Sequence, residues 1–280
     1  MGLVDDVTAI AEMLRGRRTL VVTGAGISTD AGVPDYRGSG APERPTVEYG
    51  DFVLFELWQR YLWWRNELSW RTLEDVQPTA GHHALARLER AGLIVGVATQ
   101  NVDRLHARAG SRAMVELHGR FDTVVCLHCG ARFTRARVSE LIRAANPELA
   151  FPAVTLDRIE ILAAKDRAAV EVCPLTVPPC PECDGTLKPD VVFFGEPLPE
   201  AAVRRAQALA GACDVVLAVG TSLVVSTGMW VVMQAVEAGA RLVVVNRGPT
   251  QADRIADLRV EGGASEVLAG VATALLGETP

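Results

Sequence analysis

The sequence predicts an α/β fold, a doubly wound parallel sheet interrupted by a smaller inserted domain. Three observations predict it. Helix-then-strand units recur along the chain, the strands are apolar on both faces, and the two segments that break the rhythm hold most of the tryptophans and two cysteine pairs. At 280 residues, 49% hydrophobic and 22% charged, the chain has ample material for such a core.

The first unit is an amphipathic helix with Val7, Ile10, Ala11 and Leu14 on one face, followed by the strand Thr19-Leu20-Val21-Val22-Thr23 and a glycine loop. Gly38 to Pro78 then opens as a Pro- and Gly-rich loop and continues as an aromatic helix over Phe52 to Trp70. Trp58, Tyr61, Trp63, Trp64 and Trp70 lie on it, four of the chain's five tryptophans, and they read as the core of a small domain. A helix over Ala80 to Ala91 feeds the strand Leu93 to Thr99. Roughly Thr123 to Leu187 forms the second interruption, with helices expected over Val138 to Ala145 and Leu156 to Val170. The rhythm resumes with a helix over Pro199 to Gly211 before the strand Val215 to Val219, and a helix over Val231 to Ala238 before Leu242 to Val245. The expected division is a large part of residues 1–38, 79–122 and 188–280, and a small domain built from insertions 39–78 and 123–187.

Charge and length exclude several function classes. With 28 basic and 34 acidic residues, net −6, and no long run of one sign, nothing tracks a phosphate backbone, so direct nucleic-acid binding is not expected. Only Lys165 and Lys188 are lysines, a bias read as that of a GC-rich bacterial genome. The N-terminus carries Asp5 and Asp6 where a secretory signal would be positive, and the expected location is cytoplasmic. Val215 to Val236 is free of charge for 22 residues, but Gly220-Thr221-Ser222 and Ser226-Thr227-Gly228 break it into a buried strand, a polar loop and a helix, so no membrane span is expected.

In parallel sheets ligands bind beyond the carboxyl ends of the strands. Here each strand ends in a polar loop: Gly24-Ala25-Gly26, Gln100-Asn101-Val102-Asp103, Gly220-Thr221-Ser222 and Asn246-Arg247-Gly248. These four loops are expected to converge on one ligand. Gly24-Ala25-Gly26 after a strand suits a diphosphate cradled by backbone N–H groups. The usual dinucleotide fingerprint fails, because its third glycine would fall on Thr29, and this disfavours hydride-transfer chemistry.

Cys126-Leu127-His128-Cys129 and Cys180-Pro181-Glu182-Cys183 are two Cys-x-x-Cys pairs, which together supply the four thiolates of a structural zinc site. Four protein ligands leave zinc no open position for water, so a metallohydrolase is disfavoured. His128 and Cys173 read as bystanders, and the cytoplasmic reading disfavours disulfides.

The run Gly24-Ala25-Gly26-Ile27-Ser28-Thr29-Asp30-Ala31-Gly32-Val33-Pro34-Asp35-Tyr36-Arg37 closely resembles the first cofactor motif of the sirtuins. So do Thr99-Gln100-Asn101-Val102-Asp103, Leu117-His118-Gly119, the two cysteine pairs, Lys188-Pro189-Asp190-Val191-Val192-Phe193-Phe194-Gly195-Glu196, Gly220-Thr221-Ser222 and Asn246-Arg247-Gly248, in the family's order. The resemblance implies a Rossmann-like fold and an NAD-dependent protein-lysine deacylase. NAD is consumed, and the products are free lysine, nicotinamide and O-acyl-ADP-ribose. It implies that Gly24, Ala25 and Gly26 hold the diphosphate with Gly220, Thr221 and Ser222 nearby. Gln100, Asn101 and Asp103 line the nicotinamide and ribose pocket, Asp35, Tyr36 and Arg37 lie on the loop that closes over it, and Asn246, Arg247, Gly248 and Ala264 meet the adenosine end. His118 is then the general base, with Asn101 and Asp103 in the catalytic group; an imidazole's ordinary pKa of about 6.5 suits proton transfer near neutrality. His82, His83 and His106 have no comparable context. Val192, Phe193, Phe194, Gly195 and Glu196, with Leu223 and Val224, resemble the edges along which the family holds an acylated peptide as an added strand.

The long insert between the cysteine pairs, with Tyr36 in place of the commoner phenylalanine, is most similar to the class II branch that includes the mitochondrial lipoamidase-like member, a branch that often prefers larger acyl groups. Leu62-Trp63-Trp64-Arg65 has leucine where a succinyl-removing branch has the tyrosine of its Tyr-x-x-Arg pair, which disfavours succinyl-lysine. Two other readings stay open: a protein mono-ADP-ribosyltransferase using the same pocket, and a non-catalytic NAD- and zinc-binding interaction module.

Overall fold

A computed structural model describes residues 2–35, 45–160 and 162–277. In chain order its strands are β1 (Thr19–Thr23), β2 (Ile94–Thr99), β3 (Met114–Glu116), β4 (Gly119–Cys126), β5 (Arg132–Thr134), β6 (Leu187–Val191), β7 (Val215–Val219), β8 (Arg241–Asn246) and β9 (Leu258–Glu261). The chain divides into two units, one of Met1–Tyr36, Gln77–Leu117 and Leu198–Pro280, the other of Arg37–Val76 and His118–Pro197.

The first unit holds a six-stranded parallel sheet in the order β3-β2-β1-β7-β8-β9. Alternate residues of the same strands bury in opposite directions. Val21, Val97, Leu217 and Val243 share one core with the helices Leu3–Leu14, Ala80–Arg90 and Ala264–Leu276. Leu20, Val22, Val216, Ala218 and Val244 share another with the helices Glu200–Ala210 and Ser226–Glu237. Burial on both faces is why these strands read as unbroken apolar runs.

Register fixes where the loops begin. Thr23 stands opposite Thr99 on one side and Val219 on the other, and Val219 stands opposite Val245, so four central strands end at nearly one level. The helix after β7 starts earlier than the sequence suggests, at Ser226, with Gly228 in its first turn. A side chain at Gly228 would put its Cβ 2.6 Å from Gln100 Oε1, so the glycine serves close approach to the neighbouring loop and does not break the helix. Among the described residues no helix is long and apolar enough to cross a membrane.

The second unit is a three-stranded antiparallel sheet, β5-β4-β6, with the helices Tyr49–Leu54, Glu56–Glu74, Arg135–Ala145 and Arg167–Glu171. Trp63 is fully buried and donates its indole N–H to Leu187 O at 3.1 Å, while Trp58 and Trp64 are only half-buried. The guanidinium of Arg135 lies 5.1 Å from the ring centres of both Trp63 and Trp70 and pairs with Glu67 at 2.7 Å. Glu67, also buried, accepts from Ser139 and from Arg143 as well. A buried charge needs this density of partners.

Other boundaries differ from the sequence reading as well. Residues 118–122 and 188–197 belong to the second unit, because β4 and β6 pair with each other from Gly119↔Val191 to Cys126↔Leu187. The expected helix over Leu156 to Val170 is a single 3-10 turn, Leu156–Arg158, and a short helix from Arg167. Tertiary bonds compete for the stretch between them: Arg65 grips both carboxylate oxygens of Glu160 through the Nε–Nη2 edge of its guanidinium at 3.1 and 3.0 Å, Val47 N–H donates to Ala163 O, and Lys165 N–H donates to Pro45 O.

Candidate functional site

In the first unit the loops that follow β1, β2 and β7 bond to one another. Gly26 N–H donates to Gly220 O at 2.8 Å. A Cβ at Gly26 would sit 2.8 Å from that same oxygen, and one at Gly24 would sit 2.8 Å from Thr221 Cβ, so both positions admit only hydrogen. The Asn101 amide donates to Gly24 O at 3.0 Å and to Ser28 Oγ at 3.2 Å. Ser28 in turn donates to Asp103 at 2.6 Å, and Asp103 also accepts from Leu105 N–H at 3.0 Å. Burial pushes the Asp103 carboxyl up from its ordinary range, and these donors oppose the push. Gln100 accepts from Thr221 Oγ1 at 3.1 Å and donates to Thr227 Oγ1 at 3.2 Å.

The candidates for the adenosine end gather beyond β8. Asn246 donates to Arg247 O and Gly248 O, and Gly248 N–H reaches Glu261 at 2.7 Å. The Arg247 guanidinium lies over Gly263, where a Cβ would meet it at 2.5 Å, next to Ala264 at the start of the last helix. Ser222 is half-buried, with its carbonyl held by Gln251 N–H. Asp35 is exposed, and Tyr36 and Arg37 lie outside the described residues.

The structure also gives context to histidines that the sequence left without any. His82 and His106 are buried, their rings 4.6 Å apart and edge to face. His106 Nε2 meets Thr23 Oγ1 at 2.9 Å, Thr23 donates to Thr99 Oγ1, and Thr99 Oγ1 accepts Asn101 N–H. His82 Nδ1 meets Thr79 Oγ1 at 2.8 Å, and that hydroxyl donates to Ile27 O. The pair thus stands behind both the Gly24 and the Asn101 loops; His83, beside it in sequence, is exposed.

Burial lowers His82 to about 2 and His106 to about 4. Both folded-state values lie below the ordinary 6.5, so the unfolded chain binds more protons and stability falls as pH drops below about 6.5. Integrated across the titration of the unfolded chain this amounts to about 1.4 kcal/mol for each ring, so roughly 3 kcal/mol is lost between pH 7.5 and 5.5. Urea midpoints compared at pH 7.5 and 5.5 check this, with His106→Gln flattening the difference; a wild-type midpoint that does not move would show the pair is protonated without penalty.

In the second unit His118 is half-buried on the link between β3 and β4. Its carbonyl accepts Val192 N–H at 2.8 Å, and Gly119 after it turns with φ +75°, a turn whose Cβ would lie 2.1 Å from Asp190 O. Val192 to Glu196 leave β6 as an irregular segment in which Phe193 is buried and Phe194 is 46% exposed. In the first unit, Leu223 is buried at φ +57° and Val224 is 46% exposed.

Cys126, Cys129, Cys180 and Cys183 bring their sulfurs within 4.8 Å of one another. Zinc–sulfur bonds of about 2.3 Å at tetrahedral angles place sulfurs roughly 3.8 Å apart, and Cys126 to Cys183 and Cys129 to Cys180 measure 3.5 and 3.9 Å. His128 N–H donates to Cys126 Sγ at 3.4 Å, the kind of bond that stabilises a thiolate. The site fits a zinc ion. His128 and the buried Cys173 are outside this sulfur set.

Fold and site define a Rossmann-like α/β protein with a four-cysteine zinc module. A sequence profile of the Sir2 family matches residues 24–227, and the chain belongs to that family, the sirtuins. It is similar to NAD-dependent protein deacetylase 1 of Mycobacterium avium, 40% identical over 266 residues that cover 95% of this chain and 94% of that protein. It is 43% identical over 261 residues to the NAD-dependent protein deacetylase of Xanthomonas axonopodis, covering 91% and 87%. Among solved structures, a Sir2 protein with a p53 peptide and NAD+ superposes with a TM-score of 0.75 at 30% identity, covering 94% of this chain and 95% of that one.

Proposed function

We propose that this protein is an NAD-dependent protein-lysine deacylase of the bacterial cytoplasm, where its four zinc thiolates stay reduced. The observation that carries the reading is the mutual bonding of the Gly24, Asn101 and Gly220 loops at the aligned ends of β1, β2 and β7, where an α/β sheet receives a ligand. The names of the Mycobacterium and Xanthomonas relatives support the same activity.

In this reading Gly24, Ala25 and Gly26 hold the diphosphate of NAD, with Gly220, Thr221 and Ser222 alongside. Asn246, Arg247, Gly248 and Ala264 meet the adenosine, and Asp35, Tyr36 and Arg37 border the nicotinamide end. Gln100, Asn101 and Asp103 orient the nicotinamide and its ribose. NAD supplies an electrophilic anomeric carbon: its bond to nicotinamide breaks as the acyl amide oxygen of the substrate lysine bonds to that carbon. His118 takes the proton from a ribose hydroxyl, which then attacks the activated acyl carbon. Water completes the balance, leaving free lysine, nicotinamide and O-acyl-ADP-ribose. Val192 to Glu196, with Leu223 and Val224, bind the acylated peptide through backbone bonds, which confers little sequence selectivity. The zinc is structural, with Cys126, Cys129, Cys180 and Cys183 as its ligands.

Mass spectrometry of the protein incubated with NAD and a panel of acyl-lysine peptides, from acetyl through long-chain, dicarboxyl and lipoyl groups, tests the reading. One peptide is expected to lose its acyl group with matching nicotinamide and O-acyl-ADP-ribose, and the panel names the acyl class. If NAD binds but no peptide reacts, the deacylase reading fails; ADP-ribose left on protein would then identify a transferase.

A further inference from the structure

Lys188 is one of only two lysines in the chain, and its side chain is 3% exposed. A lysine normally carries its ammonium out to water, so one held inside needs a partner for each of its three N–H donors. The structure supplies all three. Nζ reaches Val191 O at 2.6 Å, Pro189 O at 3.2 Å and Glu196 Oε2 at 3.0 Å, and it sits 4.4 Å over the face of Phe193. Burial pulls the Lys188 pKa down, and Glu196 opposes the pull.

These partners belong to the segment that carries the peptide-binding residues. Glu196 Oε2 also accepts Phe193 N–H at 2.9 Å, and Glu196 N–H closes the turn onto Phe193 O at 3.0 Å, with Gly195 at φ +80°. Phe193 packs edge-on against Phe52 at 5.3 Å, and Phe194 O is held by Tyr49 N–H. Val192 N–H bonds to His118 O. The chain leaving β6 is therefore wrapped around one ammonium, and the wrapped segment presents the exposed Phe194 while remaining tied to the backbone at His118.

We propose that Lys188 is a positioning residue for peptide recognition: through Glu196 and the carbonyls of Pro189 and Val191 it holds Val192 to Glu196 in the shape that receives an acylated peptide. This rests on the deacylase reading above. The buried pair sets the backbone of an edge whose selectivity is otherwise loose, so its loss acts on peptide affinity ahead of nucleotide affinity.

The test is steady-state kinetics of the zinc-loaded full chain with a peptide that the wild type turns over, varying peptide and NAD separately. Lys188→Met, which keeps the apolar stem and removes the charge, is expected to raise KM for peptide on the order of tenfold, the scale of a lost charged hydrogen bond, while KM for NAD stays within about twofold. Glu196→Gln keeps the side chain's shape and is expected to move the same constant in the same direction, and it carries the test if Lys188→Met fails to retain zinc. The double variant is expected to be no worse than Lys188→Met alone, because both changes open one clamp. Equal shifts in both KM values, or none in a folded Glu196→Gln variant, would overturn the proposal and leave the pair a purely structural one. If the wild type binds NAD but turns over no acyl-peptide, the deacylase reading falls and this inference falls with it.

Discussion

Replacing His118 with alanine is expected to lower acyl-lysine turnover by a factor on the order of 10² to 10⁴, the usual contribution of a positioned general base, with NAD binding retained. Retention follows from how the first unit is built. The Gly24, Asn101 and Gly220 loops are held by bonds to one another and by the Thr23, Thr99 and His106 chain behind them. The substitution also spares the backbone at position 118. The His118 carbonyl still accepts Val192 N–H, and the turn at Gly119 depends on the glycine. The loss therefore falls on chemistry, and it separates the three readings of the sequence. A deacylase loses acyl removal. A mono-ADP-ribosyltransferase shows ADP-ribose remaining on protein. A binding module retains its NAD affinity and never had turnover to lose. Nicotinamide release and O-acyl-ADP-ribose formation, followed together with NAD titration of the variant, give the answer; unchanged deacylation by the alanine variant would remove His118 from the mechanism.

What could be read from the sequence was what depends on neighbours in the chain. Glycines at a strand end and cysteines three residues apart are local signals, and they led to the aligned ends of β1, β2 and β7 and to the sulfur cluster. The buried His106 was missed because its partner is remote: it meets Thr23, 83 residues away, and no periodicity marks that bond. Ser28 was quoted within a motif, yet its bonds to Asn101 and Asp103 span 73 and 75 residues. The same holds for Arg135 and Glu67, whose pairing joins the aromatic helix to the insert across 68 residues. Helix propensity failed over 156–170 for a related reason. Arg65, Pro45 and Val47 bond to that stretch from elsewhere, and tertiary contacts override a weak local preference.

Stripping the zinc has the other large effect, because the metal closes a sheet of only three strands. Cys126 ends β4 in register with Leu187 of β6, and Cys180 and Cys126 are buried while Cys129 and Cys183 are exposed. Each knuckle is a tight turn: Gly130 N–H returns to Cys126 O with Gly130 at φ +73°, and Asp184 N–H returns to Cys180 O with Asp184 at φ +58°. Without a cation, four sulfurs within 4.8 Å cannot all stay ionised, so the turns lose both their common anchor and the charge balance that lets thiolates sit together. Apparent zinc affinities of small four-ligand modules amount to roughly 10–16 kcal/mol, comparable with or above the whole stability of a domain at about 5–15 kcal/mol. The purified protein is expected to contain one zinc per chain by elemental analysis. Chelation under mild denaturant should abolish the cooperative melting of the second unit, and Cys180→Ser should do the same without a chelator. Because protons compete with the metal for the thiolates, zinc release should also steepen in acid. Metal-free protein that melts at the temperature of the zinc-loaded form would show instead that the aromatic core around Trp63 and the Arg135–Glu67 pair hold the unit together unaided.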